Sequence, residues 1–127
     1  MSNRAVIQTA EAPQAIGPYS QAVKINGVVY LSGQIPLDPV TMEMVEGDIY
    51  AQARRVFANL GAVAQAAGGD LSRCVKVNVF LIDLADFAAV NTVMAEYCSE
   101  PFPARACVQV AALPRGARVE VDAIMVV

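Results

Sequence analysis

The run CVKVNVFLI, residues 74–82, limits the possible folds more than any other segment of the sequence. It is mostly apolar and rich in β-branched residues, a composition typical of a strand whose sheet is covered on at least one face. Segments with helical periodicity lie before and after it. The chain is therefore expected to combine a sheet with two helices.

Both predicted helices have recognisable ends. In the first, apolar residues recur on one side from Ile49 to Ala67, with Asp48 as the predicted N-cap and Gly68 and Gly69 as the stop. The second is predicted to begin near Asp83 and to end before two prolines. Its apolar stripe consists of Phe87, Val90, Met94, Tyr97 and Cys98.

Strands are predicted towards both ends of the chain. Asn26 and Gly27 separate the short apolar runs 22–25 and 28–31, and this dipeptide favours a type I′ hairpin turn. Further strands are expected at residues 6–7, 105–110 and 118–126. The order predicts an α+β fold in a single domain, residues 1–127, with a mixed sheet and two helices packed on one face. A symmetric partner is the natural cover for the other face.

The composition favours an oligomer and excludes several classes of partner. With 56% hydrophobic and only 17% charged residues, the chain carries more apolar material than a core of this size comfortably buries, although a well-filled monomeric core is the alternative. A net charge of −3 without a basic block argues against nucleic-acid binding. The sequence has neither an apolar run of roughly 20 residues nor a secretory signal, which predicts a cytoplasmic protein that does not bind membranes.

The cysteine and histidine counts narrow the possible chemistry. The three cysteines are widely spaced, which argues against a disulfide framework and against a CxxC motif. The chain has no histidine, so the commonest metal ligand and the usual general base near neutral pH are both missing. Catalysis would depend on carboxylates, arginine, tyrosine, cysteine, lysine or backbone groups.

Alternation in the last two predicted strands places polar side chains on one face of each. Arg105 and Cys107 share a face of the first strand, and Glu120 and Asp122 share a face of the second. If these strands pair as a hairpin with the polar faces together, a guanidinium, a thiol and carboxylates converge. The alternative is a solvated sheet face with ordinary cross-strand ion pairs.

Three further residues are candidates for a ligand site, and each also has a purely structural interpretation. Asn91 lies in the apolar stripe of the second helix, where its amide either satisfies a backbone group of the sheet or binds a ligand. Tyr19 lies in a Gly-Pro loop and either faces a cleft or packs at an interface. Gly33 directly follows a strand, where it either admits a ligand to the backbone or turns the chain. Cys107 by itself is more typical of an inert buried thiol.

Taken together, these segments resemble the Rid family, also called the YjgF family, over almost the whole chain. The resemblance is carried by AIGPYSQA at 15–22, LSGQIP at 31–36, DFAAVN at 86–91, and the stretch from Pro103-Ala104-Arg105 to Val119-Glu120-Val121. It implies a chorismate-mutase-like fold and a homotrimer with sheets facing inward and clefts at the subunit boundaries. It also implies a 2-iminobutanoate/2-iminopropanoate deaminase, which hydrolyses the enamine and imine products released by pyridoxal-phosphate-dependent dehydratases.

The resemblance further implies residue roles. Arg105 matches the family's arginine for the substrate carboxylate, and Glu120 matches its water-positioning glutamate. The matching cleft lining is Tyr19, Ser32, Gly33, Asn91 and Cys107. Ala106 and Asp122 depart from the serine and glutamate that are frequent in relatives.

The implied mechanism needs neither a metal nor an organic cofactor. A guanidinium binds a carboxylate through two parallel hydrogen bonds and thereby fixes the imine carbon beside a water held by Glu120. This interpretation depends on Arg105 and Glu120 reaching one pocket.

Three alternatives remain at this point. The same arginine would also suit a non-catalytic module that binds a 2-keto acid or another small carboxylate. A ribonuclease or translation inhibitor, a label that some relatives carry, is disfavoured because an acidic chain without histidine lacks the usual acid-base pair and phosphate-binding surface. A chaperone-like surface is the third.

Overall fold

The computed structural model describes residues 3–127, which form one six-stranded mixed sheet and two α-helices. The strands are β1 (Ala5–Ile7), β2 (Ala22–Ile25), β3 (Val28–Gln34), β4 (Cys74–Leu81), β5 (Ala104–Gln109) and β6 (Val119–Val126). The helices are α1 (Ile49–Ala66) and α2 (Phe87–Tyr97), and short 3-10 turns cover Leu71–Arg73, Leu84–Asp86 and Pro114–Gly116. The predicted α+β class is confirmed.

The local signals in the sequence act as expected. Asn26 and Gly27 have φ angles of 51° and 78°, and they connect β2 to β3 as an antiparallel hairpin. The Asp48 side chain accepts a hydrogen bond from the backbone N–H of Ala51 and caps α1. After the helix, Gly68 takes a positive φ of 96° that few other residues adopt. The short strand at residues 6–7 is also present, as part of β1.

The pairing of the last two strands differs from the prediction. The strand order is β1-β2-β3-β6-β4-β5, so β4 lies between β5 and β6 and the expected hairpin is wrong. The physical reason is the helix that precedes β5. A helical connection of this length suits a parallel pair, and β5 is parallel to β4 while all other neighbours are antiparallel. The chain then crosses the end of β4 to reach β6.

The hydrophobic core lies between the helices and one face of the sheet. Alternate residues of the central strands β4 and β6 point into it, among them Val77, Val79, Val119 and Val121, all essentially inaccessible to solvent. Phe57 of α1 is buried against them and stacks on Tyr97 of α2, with 5.8 Å between ring centres. Each fully buried valine or leucine contributes about 1.5–3 kcal/mol, so this face fixes the strand register.

The opposite face of the sheet is uncovered in the isolated chain. Tyr30 is 51% exposed, Val108 45% and Val126 42%, and the register places all three on the side away from the helices. Such an exposed apolar sheet face is typical of a surface that binds another protein. Separately, no helix within residues 3–127 is both long and apolar enough to cross a bilayer.

Candidate functional site

Arg105 lies on the helix side of β5, where α2 holds its guanidinium. Its Nη1 donates a hydrogen bond to Oδ1 of Asn91 and lies 3.8 Å from the sulfur of Met94. The guanidinium carbon lies 5.1 Å from the centre of the Phe87 ring, within the range of a cation–π contact. The side chain is therefore oriented before any ligand arrives.

A cavity of 430 Å³ opens beside this guanidinium. Its walls are Asn91, Met94, Ala95, Phe102, Pro103 and Arg105. The wall is mostly apolar and carries one positive charge, which suits a small carboxylate. We call this region, Arg105 with Asn91, Phe87 and the cavity, the arginine half-site.

The sequence left two roles open for Asn91, and within residues 3–127 it does not take the first, satisfying a backbone group of the sheet. Its Oδ1 instead accepts a hydrogen bond from the Arg105 guanidinium, which it orients, and Asn91 also lines the cavity beside that group. The second role, binding of a ligand, stays a prediction. Phe87, one turn earlier on α2, is a second orienting residue, which the sequence interpretation assigned only to the apolar stripe. The available signal was the spacing of four residues between Phe87 and Asn91, which places both on one side of the helix.

Cys107 lies two residues after Arg105 on the same side of β5 but does not line the cavity. It is half-buried and packs against the hydrophobic core. Burial raises the pKa of its thiol, and the nearby Arg105 guanidinium only partly offsets this. The thiol is therefore protonated at neutral pH and is a poor nucleophile.

Glu120 lies on the other side of the sheet, in a second cavity of 450 Å³. Its lining residues include Tyr19, Ser32, Gly33, Glu120 and Asp122. We call this region, these five residues and the cavity, the glutamate half-site. Its floor is formed where β3 and β6 leave regular register: Leu31 pairs with Ala123 but Gln34 pairs with Val121, so β3 carries one extra residue in a bulge.

Gly33 lies in this bulge and makes room for the glutamate. A Cβ atom at position 33 would lie 3.0 Å from Cδ of Glu120 and 3.2 Å from its Oε2. Real Cβ atoms are rarely so close to a neighbour, and Gly33 has no positive φ that would require glycine. The contact with Glu120 is therefore the structural reason for glycine here.

Two effects raise the pKa of Glu120. Burial of the carboxyl is the larger, and the negative charge of Asp122 adds to it. Asp122 in turn accepts a hydrogen bond of 2.8 Å from Nδ2 of Asn78 on β4. Glu120 thus binds a proton more readily than an exposed glutamate, a property suited to proton transfer.

The loop that carries Tyr19 is fixed by a buried residue that the sequence interpretation did not single out. Gln21 is 3% exposed; its Oε1 accepts from the backbone N–H of Thr9 at 2.7 Å, and its Nε2 donates to the carbonyl of Pro13 at 2.8 Å. Ser32 donates through its hydroxyl to the Ser20 carbonyl at 2.6 Å. The Gln21 bonds join the start of the Tyr19 loop to its end, and the Ser32 bond joins that end to β3. A polar residue immediately before an apolar strand was the available signal.

Arg105 and Glu120 do not meet within one chain. Arg105 pairs with Val77 of β4 and Glu120 with Phe80, and these positions point to opposite faces. The expectation that they converge is wrong for the single chain. The strand β4 lies between β5 and β6, and the residues of β4 that pair with Arg105 and Glu120 are three apart, so the two side chains point to opposite faces of the sheet. The structure brings Arg105 together with Asn91 on one side, and Glu120 with Gly33 on the other.

The described part of the chain offers no group of three or more His, Cys, Asp or Glu side chains placed to hold a metal ion. The expectation that the protein works without a metal stays a prediction.

Gly33→Ala is expected to destabilise the fold more when Glu120 is present than when it is absent. The new methyl group displaces the glutamate side chain, so its cost should be about 1 kcal/mol greater in the wild-type background than in Glu120→Ala. Urea unfolding of the two single variants and the double variant measures this coupling. Equal costs of Gly33→Ala in both backgrounds would contradict the contact.

Comparison with known proteins gives the family. The family model described as Endoribonuclease L-PSP matches residues 9–127. Protein DfrA of Myxococcus xanthus is 58% identical over 97% of this chain and 95% of its own length, and the 2-iminobutanoate/2-iminopropanoate deaminase of Dermatophagoides farinae is 50% identical over 100% and 99%. The crystal structure of RidA from the Antarctic bacterium Psychrobacter sp. PAMC 21119 superposes with a TM-score of 0.93 at 54% identity, covering 97% of this chain and 99% of that one. With matches of this extent, the chain belongs to the Endoribonuclease L-PSP family, which is the Rid family that its sequence motifs resemble.

Proposed function

We propose that this protein is a 2-iminobutanoate/2-iminopropanoate deaminase, which hydrolyses 2-imino acids to 2-keto acids and ammonia. The observation that carries the proposal is the Arg105 guanidinium, held beside an open cavity by Asn91 and Phe87. Within residues 3–127 no carboxylate forms an ion pair with it, so its charge is available to a substrate carboxylate. The family relatives that bear this name support the same reading.

The complete site is proposed to form between copies of the chain. The arginine half-site and the glutamate half-site each hold only part of the required chemistry. When two different patches of a protein meet in this way, the contacts repeat from copy to copy, and they close into a ring if the rotation between copies completes a full turn. We propose a homotrimer of chorismate-mutase-like subunits, in which the uncovered apolar faces of the sheets pack inward and each cleft lies at a subunit boundary. The exposed Tyr30, Val108 and Val126 supply the apolar surface that such packing buries.

In this cleft, Arg105 of one subunit binds the substrate carboxylate and fixes the adjacent imine carbon. Glu120 of the next subunit orients a water and accepts its proton as the oxygen attacks that carbon. The electrons of the C–N double bond move to nitrogen, which takes back the proton that Glu120 accepted from water, and a neutral carbinolamine forms. Glu120 then transfers the hydroxyl proton of the carbinolamine to the amino group as the C–N bond breaks. Ammonia leaves, the carbonyl forms and Glu120 is again a carboxylate. Tyr19 and the Gly33 backbone line the same cavity as Glu120, where they are placed to orient the imine nitrogen.

The reaction requires no cofactor, because a protonated imine is already electrophilic. The substrate is a small imino acid and the product a small keto acid, and no nucleic acid or membrane partner is needed. A cytoplasmic location remains a prediction from the sequence.

Two alternatives are less well supported. A module that only binds small carboxylates would use the arginine half-site but would leave Gly33 and Glu120 without a role. Ribonuclease activity, although the word stands in the family's name, would require a phosphodiester beside Glu120 and Asp122, whose charges repel phosphate.

Arg105→Ala and Arg105→Lys are both expected to lose about 100-fold or more in kcat/KM for 2-iminobutanoate, because neither retains the paired hydrogen bonds that orient the carboxylate. Keto acid and ammonia release are measured in a coupled dehydratase assay. Sedimentation checks that the variants remain trimeric. Arg54→Ala, which removes an exposed arginine paired with Glu96, is the control and should leave activity unchanged. Full activity of Arg105→Ala would refute the role of the guanidinium.

The pH dependence tests the role of Glu120. Because burial and Asp122 raise the pKa of Glu120, the carboxylate that accepts the proton is lost at a higher pH than for an exposed glutamate. The acid limb of kcat/KM should therefore lie above the ordinary glutamate range. Asp122→Asn removes one cause of the raised pKa, so the limb should move to lower pH. An acid limb that stays in place or moves upward in Asp122→Asn would argue against Glu120 as the base.

A further inference from the structure

A third cavity adjoins the glutamate half-site. Its volume is 250 Å³. It shares five lining residues with the Glu120 cavity: Ile16, Tyr19, Gly33, Ile35 and Pro114. A group bound next to Gly33 therefore lies beside both cavities, of which this one is not lined by Asp122. We call it the side cavity.

The side cavity differs in charge from the cavity that it adjoins. Leu37 and Met42 contribute apolar surface, and none of residues 3–127 that line it is acidic. Among these lining residues, Arg115 alone carries a permanent charge. Glu120 and Asp122, in contrast, both line the neighbouring cavity.

Arg115 is held in place by the loop opposite. Its Nη1 donates a hydrogen bond of 2.8 Å to the backbone carbonyl of Met42. Within residues 3–127 it forms no ion pair with a carboxylate, so its positive charge is not neutralised by a neighbouring carboxylate. The backbone of Arg115 itself has a positive φ of 57°, within the 3-10 turn at residues 114–116.

A 2-imino acid has three groups to place around its reacting carbon. In the proposed site the carboxylate binds Arg105 of one subunit, and the imine nitrogen lies beside Tyr19 and the Gly33 backbone of another. The remaining group is the side chain, and the side cavity is the adjoining space that is free of carboxylates.

We propose that the side cavity binds the side chain of the 2-imino acid and that Arg115 is a specificity-determining residue, which admits neutral apolar side chains and rejects cationic ones. This inference rests on the deaminase function proposed above. Arg115 is exposed, so solvent weakens its repulsion of a second positive charge to a moderate effect, whereas a hydrocarbon chain meets mostly apolar walls.

The test compares two substrates in one set of variants. 2-Imino acids are generated in place by an L-amino acid oxidase from norvaline, which has a neutral chain, and from arginine, which has a cationic chain. The measured quantity is the ratio of kcat/KM for the arginine-derived imine to that for the norvaline-derived imine, from the rate of hydrolysis above the spontaneous rate.

Three substitutions at position 115 separate charge from structure. Arg115→Gln removes the charge but keeps an N–H donor for the Met42 carbonyl, and it should raise the ratio by about tenfold. Arg115→Glu should raise it further, and Arg115→Lys should leave it near the wild-type value. Arg73→Glu makes the same change in net charge at an exposed position outside the cavities described, and it should not alter the ratio.

The outcomes are distinct for the two proposals. If the wild-type protein hydrolyses 2-iminobutanoate but the ratio is the same in Arg115→Glu as in Arg73→Glu, the assignment of the side cavity is overturned and the deaminase function stands. If the wild-type protein accelerates the hydrolysis of no imino acid, the proposed function fails, and the assignment fails with it.

Discussion

The position of β4 between β5 and β6 determines to which face of the sheet the candidate site residues on β5 and β6 point. Residues of neighbouring strands that pair directly point to the same face, so the register of β4 with both partners decides the direction of every polar side chain on them. Burial of Val77 and Val79 against the helices fixes that register. A shift of one residue would move the buried valines into solvent, which makes the opposite orientation of Arg105 and Glu120 a rigid property of the fold.

Each half-site is organised independently around its charged group. On the helix side, Asn91 and Phe87 orient Arg105 from α2, so the ion that a substrate would contact is positioned by a helix rather than by a loop. On the other side, the bulge in β3 and the missing side chain of Gly33 let Glu120 lie against the β3 backbone. Such preorganisation matters for the proposed reaction, because much of the rate comes from holding reactants in place. Burial and the charge of Asp122 raise the pKa of Glu120, which makes its carboxylate a stronger base than that of an exposed glutamate.

The sequence predicted the elements well and their pairing less well. The helices, the Asn26-Gly27 hairpin and β4 depend on local signals such as capping, turn chemistry and periodicity, and all are present. The partner of β6 is a non-local property, since the same alternation is satisfied beside β5 or beside β4. The roles of Asn91 and Gly33 were likewise open, because orienting a guanidinium or making room for a carboxyl depends on which residue lies opposite. Resemblance to the Rid family supplied the candidate residues, and the structure divides them between two faces.

We propose that one catalytic site uses Arg105 from one subunit and Glu120 from another. This proposal is tested most directly by mixing Arg105→Ala chains with Glu120→Gln chains in equal amounts, unfolding and refolding them together, and measuring imine hydrolysis. Each parent alone should be inactive. Random reassembly gives a cleft with an intact arginine and an intact glutamate in about a quarter of cases, so about a quarter of the wild-type activity should return. Mixed trimers that remain as inactive as their parents would contradict a site shared between subunits.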